Sequence, residues 1–151
     1  MGVKPLGSVQ RALAVLEAIA AHQPVGVAAL CRVLGDDKSA VQRVLVTLAG
    51  AGWIRPTGEQ VTRWELTERP LVIAGQAQRR SGLVARMRPT LEALRDATGE
   101  TVMLAVPDAD RIVAVDVVES PQLVRTAPRL GMVLPPENSA GGLALFAHLS
   151  D

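Results

Sequence analysis

Five polar side chains lie within one short stretch of an otherwise apolar segment of the chain. They fall between positions 38 and 47 and are Lys38, Ser39, Gln42, Arg43 and Thr47. Arg and Gln can each form two hydrogen bonds with the edge of a base, and Lys and Ser can donate to phosphate oxygens. On one exposed helix face, such residue types are suited to contact with the major groove of DNA.

The apolar residues around this group predict two helices separated by a sharp turn. Gly35 accepts a positive φ, and Asp36 and Asp37 can cap the second helix. The helical stripes are Val27, Leu30, Cys31 and Leu34 in the first helix and Val41, Val44, Leu45 and Leu48 in the second. The pattern over about 27–51 indicates a helix-turn-helix. An ordinary helix pair with a solvated polar face is the alternative for these residues alone.

The flanking sequence predicts a helix before this pair and a hairpin after it. Ser8 is expected to cap a helix over residues 9–22. Residues 53–55 and 62–66 read as two strands joined by a turn over 56–60. Three helices and a hairpin make a winged helix-turn-helix over 5–66, with the wing at 53–66. Arg55 and Arg63 are the wing cations expected to reach phosphate, whereas Trp53 and Trp64 are expected to serve in packing.

The second half of the chain changes from helical to strand patterns. Residues 67–98 predict a helical linker, with Pro89 in the first turn of a further helix that ends at Gly99. β-branched runs at 101–106 and 112–118 predict strands joined by a connection over 107–111. Further strands or strand ends are expected at 123–126 and 132–134. A final helix over 143–149 is expected to open at a small-residue loop formed by Ser139, Ala140, Gly141 and Gly142.

Length and composition indicate a folded α+β protein of one domain or two small ones. The 151 residues are 48% hydrophobic and 21% charged. No apolar run approaches the ~18 residues of a membrane span, and Arg11 and Glu17 interrupt the stretch where a secretory signal would lie. A single cysteine, Cys31, cannot form an intrachain disulfide. We therefore expect a cytoplasmic protein with no membrane partner.

Charge is distributed unevenly along the chain. Residues 1–80 hold ten Lys or Arg and six Asp or Glu, a net charge of +4. Residues 81–151 hold six Lys or Arg and nine Asp or Glu, a net charge of −3. A basic first half joined to an acidic second half is consistent with a nucleic-acid module followed by a different domain.

The residue types that catalysis requires are not arranged in any recognisable motif. His22 and His148 have no Ser or Cys at motif spacing to activate. Asp108 and Asp110 are typical of a turn between strands rather than of a metal site. The chain holds no CxxC or HExxH sequence and no glycine-rich phosphate motif. We expect a protein that is not an enzyme and uses neither a metal nor a cofactor.

Several of these segments, in order, resemble the IclR family of bacterial transcriptional regulators. The first family helix is similar to SVQRALAVLEAI, at residues 8–19. The family's recognition helix and its entry into the wing are similar to DKSAVQRVLVTLAGAGWI, at residues 37–54. Residues 88–106 resemble the helix and strand that open the family's second domain; their sequence is RPTLEALRDATGETVMLAV. Further positions of the family pattern are matched by residues 118–120, by Leu134-Pro135 and by the sequence Ser139-Ala140-x-Gly142-x-Ala144-Leu145. The resemblance runs from about Ser8 to the end of the chain.

The resemblance implies a DNA-binding regulator with two functional domains. The winged helix would bind double-stranded operator DNA as a homodimer or higher homo-oligomer. Residues 99–151 would begin an effector-binding domain with a curved antiparallel sheet, which senses a small organic acid in the family. Effector residues cannot be assigned by the resemblance, and the loop 139–142 is the candidate. The chain departs from the family pattern at Pro135-Pro136-Glu137 and at Leu143, where Lys is common.

Family members usually continue well beyond the position of Asp151, so we expect the effector pocket and its sheet to be incomplete. An open apolar sheet edge favours self-association or disorder. The alternative function is therefore a truncated partner that does not bind DNA and that pairs with related regulators through its helices. The polar residue types at 38–43 favour DNA, because protein-docking faces are richer in exposed apolar side chains.

Overall fold

The computed structural model describes residues 2–58 and 61–148 of the chain. The chain divides into two compact units, Met1–Ala77 and Gln78–Asp151. Each unit combines helices with a small antiparallel sheet, so the α+β class predicted from the sequence is confirmed. Within the described residues, no helix is long and apolar enough to cross a membrane.

Three helices form the core of the first unit: α1 over Gly7–His22, α2 over Val27–Leu34 and α3 over Lys38–Gly50. The side chains at their centre are almost completely excluded from solvent and comprise Val15, Ile19, Leu30, Val41, Leu45 and Ile54. The predicted apolar stripes of α2 and α3 supply much of this core. The helix-turn-helix predicted from these stripes is confirmed.

The turn between α2 and α3 follows the chemistry of its residues. Gly35 ends α2 with φ 66°, in the left-handed region that glycine enters without a steric penalty. Asp37 caps α3, and its Oδ1 accepts a hydrogen bond of 2.9 Å from the backbone N–H of Ala40. The predicted cap at Ser8 is wrong. Helix α1 begins at Gly7, and Leu6 accepts the first backbone bonds, so Ser8 lies inside the helix.

A short hairpin follows α3 and packs against the three helices. Strand β1, Ile54–Pro56, pairs antiparallel with β2, Trp64–Leu66. The backbone of Trp64 also pairs with that of Val25, which attaches the hairpin to the segment between α1 and α2. Trp53 and Trp64 are half-buried against the helical core, so both serve in packing, as the sequence indicated.

Two further helices follow the hairpin: α4, Arg69–Ser81, and α5, Leu83–Thr98. Gly82 separates them with φ 61°, and Gly99 ends α5 with φ 73° as predicted. The predicted place of Pro89 is wrong, because it lies inside α5 rather than in its first turn. Gly82 starts the helix one and a half turns earlier than the sequence suggested. Proline lacks an N–H, so α5 forgoes one backbone hydrogen bond at this position.

The second unit is built on a three-stranded antiparallel sheet in the order β3-β4-β5. The strands span Val102–Asp108, Arg111–Val118 and Val133–Leu134. The connection expected over 107–111 is shorter in the structure, because Asp108 pairs with Arg111 and leaves a two-residue turn. A register shift between Leu104 and Ala105 marks a β-bulge. Residues 123–126, expected as a strand, are coil and remain exposed.

Helix α5 packs on this sheet and is joined to β4 by an ion pair. Arg88 Nη1 lies 2.8 Å from Asp116 Oδ1, and Arg88 Nε lies 2.9 Å from Glu92 Oε1. The hydrogen bond to Glu92 raises the pKa of Arg88 most, and the hydrogen bond to Asp116 raises it further. After β5, a 3₁₀ turn over Pro136–Asn138 leads into α6, Ala140–Phe146.

Candidate nucleic-acid interface

Helix α3 presents a continuous exposed face on the side opposite the core. The five residues singled out in the sequence of this helix are all solvent-exposed: Lys38, Ser39, Gln42, Arg43 and Thr47. The core side of the same helix is formed by Ala40, Val41, Leu45 and Leu48. This division follows from the 3.6-residue period, because the polar positions fall between the buried ones. The helix carries no Asp or Glu, so its only charged side chains are cations.

The exposed face has two edges, each next to a different element of the unit. Arg43 and Thr47 lie beside α1 and line a shallow groove between α1 and α3. Lys38 and Gln42 lie on the other edge and line a depression shared with α2 and with Thr62 of the wing. The structure therefore brings the wing next to Lys38 and Gln42 and leaves Arg43 on the edge of α3 that faces α1.

Two of the predicted contact residues use their hydroxyl protons within the protein. Ser39 Oγ donates to Asp37 Oδ1 over 2.7 Å, and Thr47 Oγ1 donates to the backbone carbonyl of Arg43 over 2.8 Å. The bond from Ser39, with the one from the Ala40 N–H, lowers the pKa of Asp37. Asp37 therefore remains a carboxylate at neutral pH and holds the first turn of α3 in place.

The wing cation Arg55 is already engaged with carboxylates. Its Nε lies 2.7 Å from Glu65 Oε1 on the facing strand, and its Nη1 lies 3.3 Å from Glu68 Oε1. The hydrogen bond to Glu65 and the charge of Glu68 raise the pKa of Arg55. The second wing cation, Arg63, is exposed, and its carbonyl accepts from the Thr57 N–H over 2.8 Å at the base of the wing.

Two residues of this region were not identified as site residues from the sequence. Arg11 of α1 forms a 2.8 Å ion pair with Asp36, in the turn before α3, and so connects the first helix to the start of the exposed face. A partner 25 residues away could not be identified from periodicity. Val46 lies on the exposed face of α3 with 69% of its surface accessible. Its position outside the apolar stripe would have indicated this exposure.

The small residues expected to form a loop before the last helix instead form its cap and first turn, because α6 begins at Ala140, and three of them border a cavity in the second unit. Ser139, Ala140 and Gly141 line this space of about 640 Å³, together with residues of β3 and β4. Gly142 is buried instead, and a Cβ there would collide with the backbone of Pro136. Ser139 caps α6 by accepting from the Gly142 N–H over 3.0 Å. None of the described residues that line the cavity is Lys or Arg.

Comparison with known protein families identifies both units. The family model for the IclR helix-turn-helix domain matches residues 8–58. The model for the C-terminal domain of the bacterial transcriptional regulator IclR matches residues 75–151, about half of the chain. The chain belongs to the IclR family. This family consists of transcriptional regulators and not of enzymes, so the assignment made from the sequence segments is confirmed.

Individual members of the IclR family agree with this assignment. The acetate operon repressor of Salmonella typhimurium is 31% identical over 147 residues, which cover 95% of this chain and 53% of that protein. The chain thus spans about half the length of this relative.

Solved structures show the same fold. The IclR regulator of Alicyclobacillus acidocaldarius matches with a TM-score of 0.80 at 23% identity, covering 97% of this chain and 60% of that one. An IclR homologue of Microbacterium hydrocarbonoxydans, solved with 4-hydroxybenzoate, matches with a TM-score of 0.78 at 20% identity, covering 96% and 60%.

Proposed function

We propose that this member of the IclR family is a transcriptional regulator that binds double-stranded operator DNA through α3. The observation that carries the proposal is the exposed face of α3, where Lys38, Gln42 and Arg43 project from a helix without acidic residues. A helix of this kind, held by a buried apolar side, fits the major groove. A regulator of this type acts in the cytoplasm, where bacterial DNA lies.

The contacts of α3 divide by position and by existing bonds. We expect Gln42 and Arg43 to read base edges and Lys38, at the helix start, to contact phosphate. Ser39 and Thr47 can donate to DNA only by giving up hydrogen bonds within the protein. They should therefore contribute less than Lys38 and Arg43.

The two wing cations, Arg55 and Arg63, are proposed as phosphate contacts. Arg63 is exposed beside the wing turn. Arg55 would have to exchange Glu65 and Glu68 for a phosphate, so its net gain is smaller.

The domain division proposed from the sequence supports this assignment of roles. It comprises a winged helix over 5–66, a helical linker over 67–98 and an effector-binding domain beginning at residue 99.

Dimerisation is proposed through α1 and the linker. Large apolar side chains on these helices are exposed, namely Val9 and Leu13 on α1 and Leu71, Val72 and Ile73 on α4. Exposed apolar side chains grouped on one element favour burial against a partner.

We propose the cavity beside Ser139, Ala140 and Gly141 as the part of the effector site contributed by these residues. Its walls are mainly apolar, with Ser139 and His148 as polar members. Such a lining suits the apolar body of a small organic molecule. The regulator from Microbacterium hydrocarbonoxydans, solved with 4-hydroxybenzoate, is consistent with a ligand of this class. Gly142 would serve by allowing α6 to approach Pro136 closely.

Selection from a random duplex library tests the proposal directly. The full chain is incubated with random-sequence DNA at fixed salt, and bound duplexes are amplified over several rounds and sequenced. The affinity of the chain for the enriched sequence is then measured by fluorescence anisotropy. We expect one enriched sequence, an inverted repeat bound by two copies of the chain. Arg43→Ala should broaden the enriched sequence, whereas Arg129→Ala, a cation of the second unit, should leave it unchanged.

Two results would contradict this function. Failure to enrich any sequence, with the chain folded, would exclude specific recognition. Weak binding that is equal for all sequences would leave only charge attraction. Absence of all DNA binding combined with mixed dimers of this chain and a full-length relative would support the alternative, a partner that pairs through its helices.

A further inference from the structure

Val46 occupies an unexpected place for a large apolar side chain. It lies on the exposed face of α3 with 69% of its surface accessible, in line with the polar residues of that face. Ser39, Gln42, Arg43 and Val46 follow one another at i, i+3, i+4 and i+7, which places them on one side of the helix. The same spacing is used by recognition helices that lie along a major groove.

Among residues 2–58 and 61–77, the packing of the first unit does not require a valine at this position. Val46 does not belong to the buried core or to the residues packed against it. A β-branched side chain is also less favourable than alanine in an exposed helix. Its neighbours Gln42 and Arg43 are the residues proposed to reach base edges, so Val46 would enter the groove beside them.

We propose that Val46 contacts the C5 methyl group of a thymine and thereby selects thymine at one position of each half-site. The inference rests on the proposed function, because it requires α3 in the major groove. The thymine methyl is the apolar group that the standard bases present there, whereas other base edges offer donors and acceptors. A valine against those polar edges would displace water without replacing its hydrogen bonds. Its favourable partner is therefore a methyl group.

Deoxyuridine provides a direct test, because it differs from thymine only in lacking this methyl group. Each thymine of the sequence enriched by the full chain is replaced singly by deoxyuridine, and affinity is measured for the wild type and for Val46→Ala. At one thymine per half-site we expect the wild type to lose about fourfold in affinity, the factor for burying one methyl-sized group. Val46→Ala removes the contact from both copies, so it should lose about fifteenfold on thymine DNA, the fourfold factor applied twice, and nothing further on deoxyuridine DNA.

A matched control is Val33→Ala, which truncates another exposed valine, on α2, with 55% of its surface accessible. This variant should respond to deoxyuridine as the wild type does. Equal responses of the wild type and Val46→Ala at every position would overturn the inference, as would an enriched half-site without thymine. Both results leave the proposed function intact. Failure to enrich any sequence would overturn the proposed function and the inference with it.

Discussion

Arg55 and Glu65 face each other across the two strands of the wing, with 2.7 Å between Nε and Oε1. Glu68 approaches the same guanidinium to 3.3 Å, so two carboxylates share one cation. An exposed arrangement of this kind adds little to folding stability, because water screens it. Its main effect is to offset the positive charge that Arg55 gives to the wing. The wing of this protein is less basic than its arginines suggest.

Removing the two carboxylates should release this charge. The double variant Glu65→Gln/Glu68→Gln should bind random DNA more tightly, with a salt slope steeper by about 0.9, the value for one added phosphate contact. Arg55→Ala alone should change the slope by much less. The control is Glu92→Gln/Glu119→Gln, which removes two arginine-paired carboxylates from the second unit. If control and wing variants change the slope equally, net charge and not the wing is responsible.

Asp37 should make the first unit sensitive to acid. Hydrogen bonds from Ser39 and Ala40 lower its pKa in the folded state, so the folded protein binds a proton here less readily than the unfolded chain. Its contribution to stability is complete above about pH 4, the unfolded value, and is lost as pH falls further through the folded pKa. Asp37→Asn keeps a capping side chain but cannot titrate.

Melting temperatures of the wild type and Asp37→Asn, followed by tryptophan fluorescence from pH 3 to pH 7, check this assignment. Both tryptophans lie at the wing of the first unit, so the probe reports that unit. We expect the wild type to lose more stability below about pH 4 than Asp37→Asn. Parallel curves for the two proteins would show that the cap does not contribute to the acid response.

Gly142 and Gly141 provide a matched pair in the second unit. A Cβ at Gly142 would meet the backbone of Pro136, whereas a Cβ at Gly141 would meet nothing within 4 Å. Gly142→Ala should destabilise the second unit by about 1–3 kcal/mol, the usual cost of overpacking. Gly141→Ala should be neutral or slightly stabilising, because alanine is the better helix former. Chemical denaturation monitored by hydrogen exchange of β3 and β4 distinguishes the two, and equal effects would contradict the contact.

Leu71 tests the proposed dimer contact. It lies on α4 with 69% of its surface accessible, so a charge there should not disturb the fold of one copy. Leu71→Glu should weaken dimerisation at least tenfold, because each copy loses a buried leucine worth roughly 1.5–3 kcal/mol. Leu123→Glu, at an exposed coil position, is the control. Sedimentation velocity gives the oligomeric state, and a wild type that is monomeric both free and on DNA would contradict the dimer.

Local chemistry explains why much of the first unit could be predicted from the sequence. Gly35 and Asp37 each fix a turn or cap by their own conformational and hydrogen-bonding properties, and the apolar stripes of α2 and α3 have a clear helical period. Prediction was wrong where two local preferences compete. Ser8 can cap a helix, but the helix begins one residue before it, at Gly7. Pro89 favours a first turn, but the start of α5 is set by Gly82.

The candidate interface could be predicted only in part, for a different reason. Exposure of Gln42 and Arg43 follows from helical periodicity, which is a property of neighbouring residues. Ion pairs such as Arg11 with Asp36 depend on how separate parts of the chain pack. The distance between the two side chains cannot be predicted from the spacing of residues in the sequence. The pairing of Arg55 with Glu65 depends in the same way on the strand register.

The ratio of affinities for the enriched sequence and for random duplex DNA, at one salt concentration, tests the central claim most directly. Specific regulators bind their sites about 10³-fold or more tighter than random DNA. We predict a ratio in that range for the full chain. Arg43→Ala should reduce it by at least about one order of magnitude, because each of the two copies loses one bidentate base contact, while its affinity for random DNA stays nearly constant. A ratio near one for the wild type, or an equal loss on both DNAs for Arg43→Ala, would contradict recognition of sequence by α3.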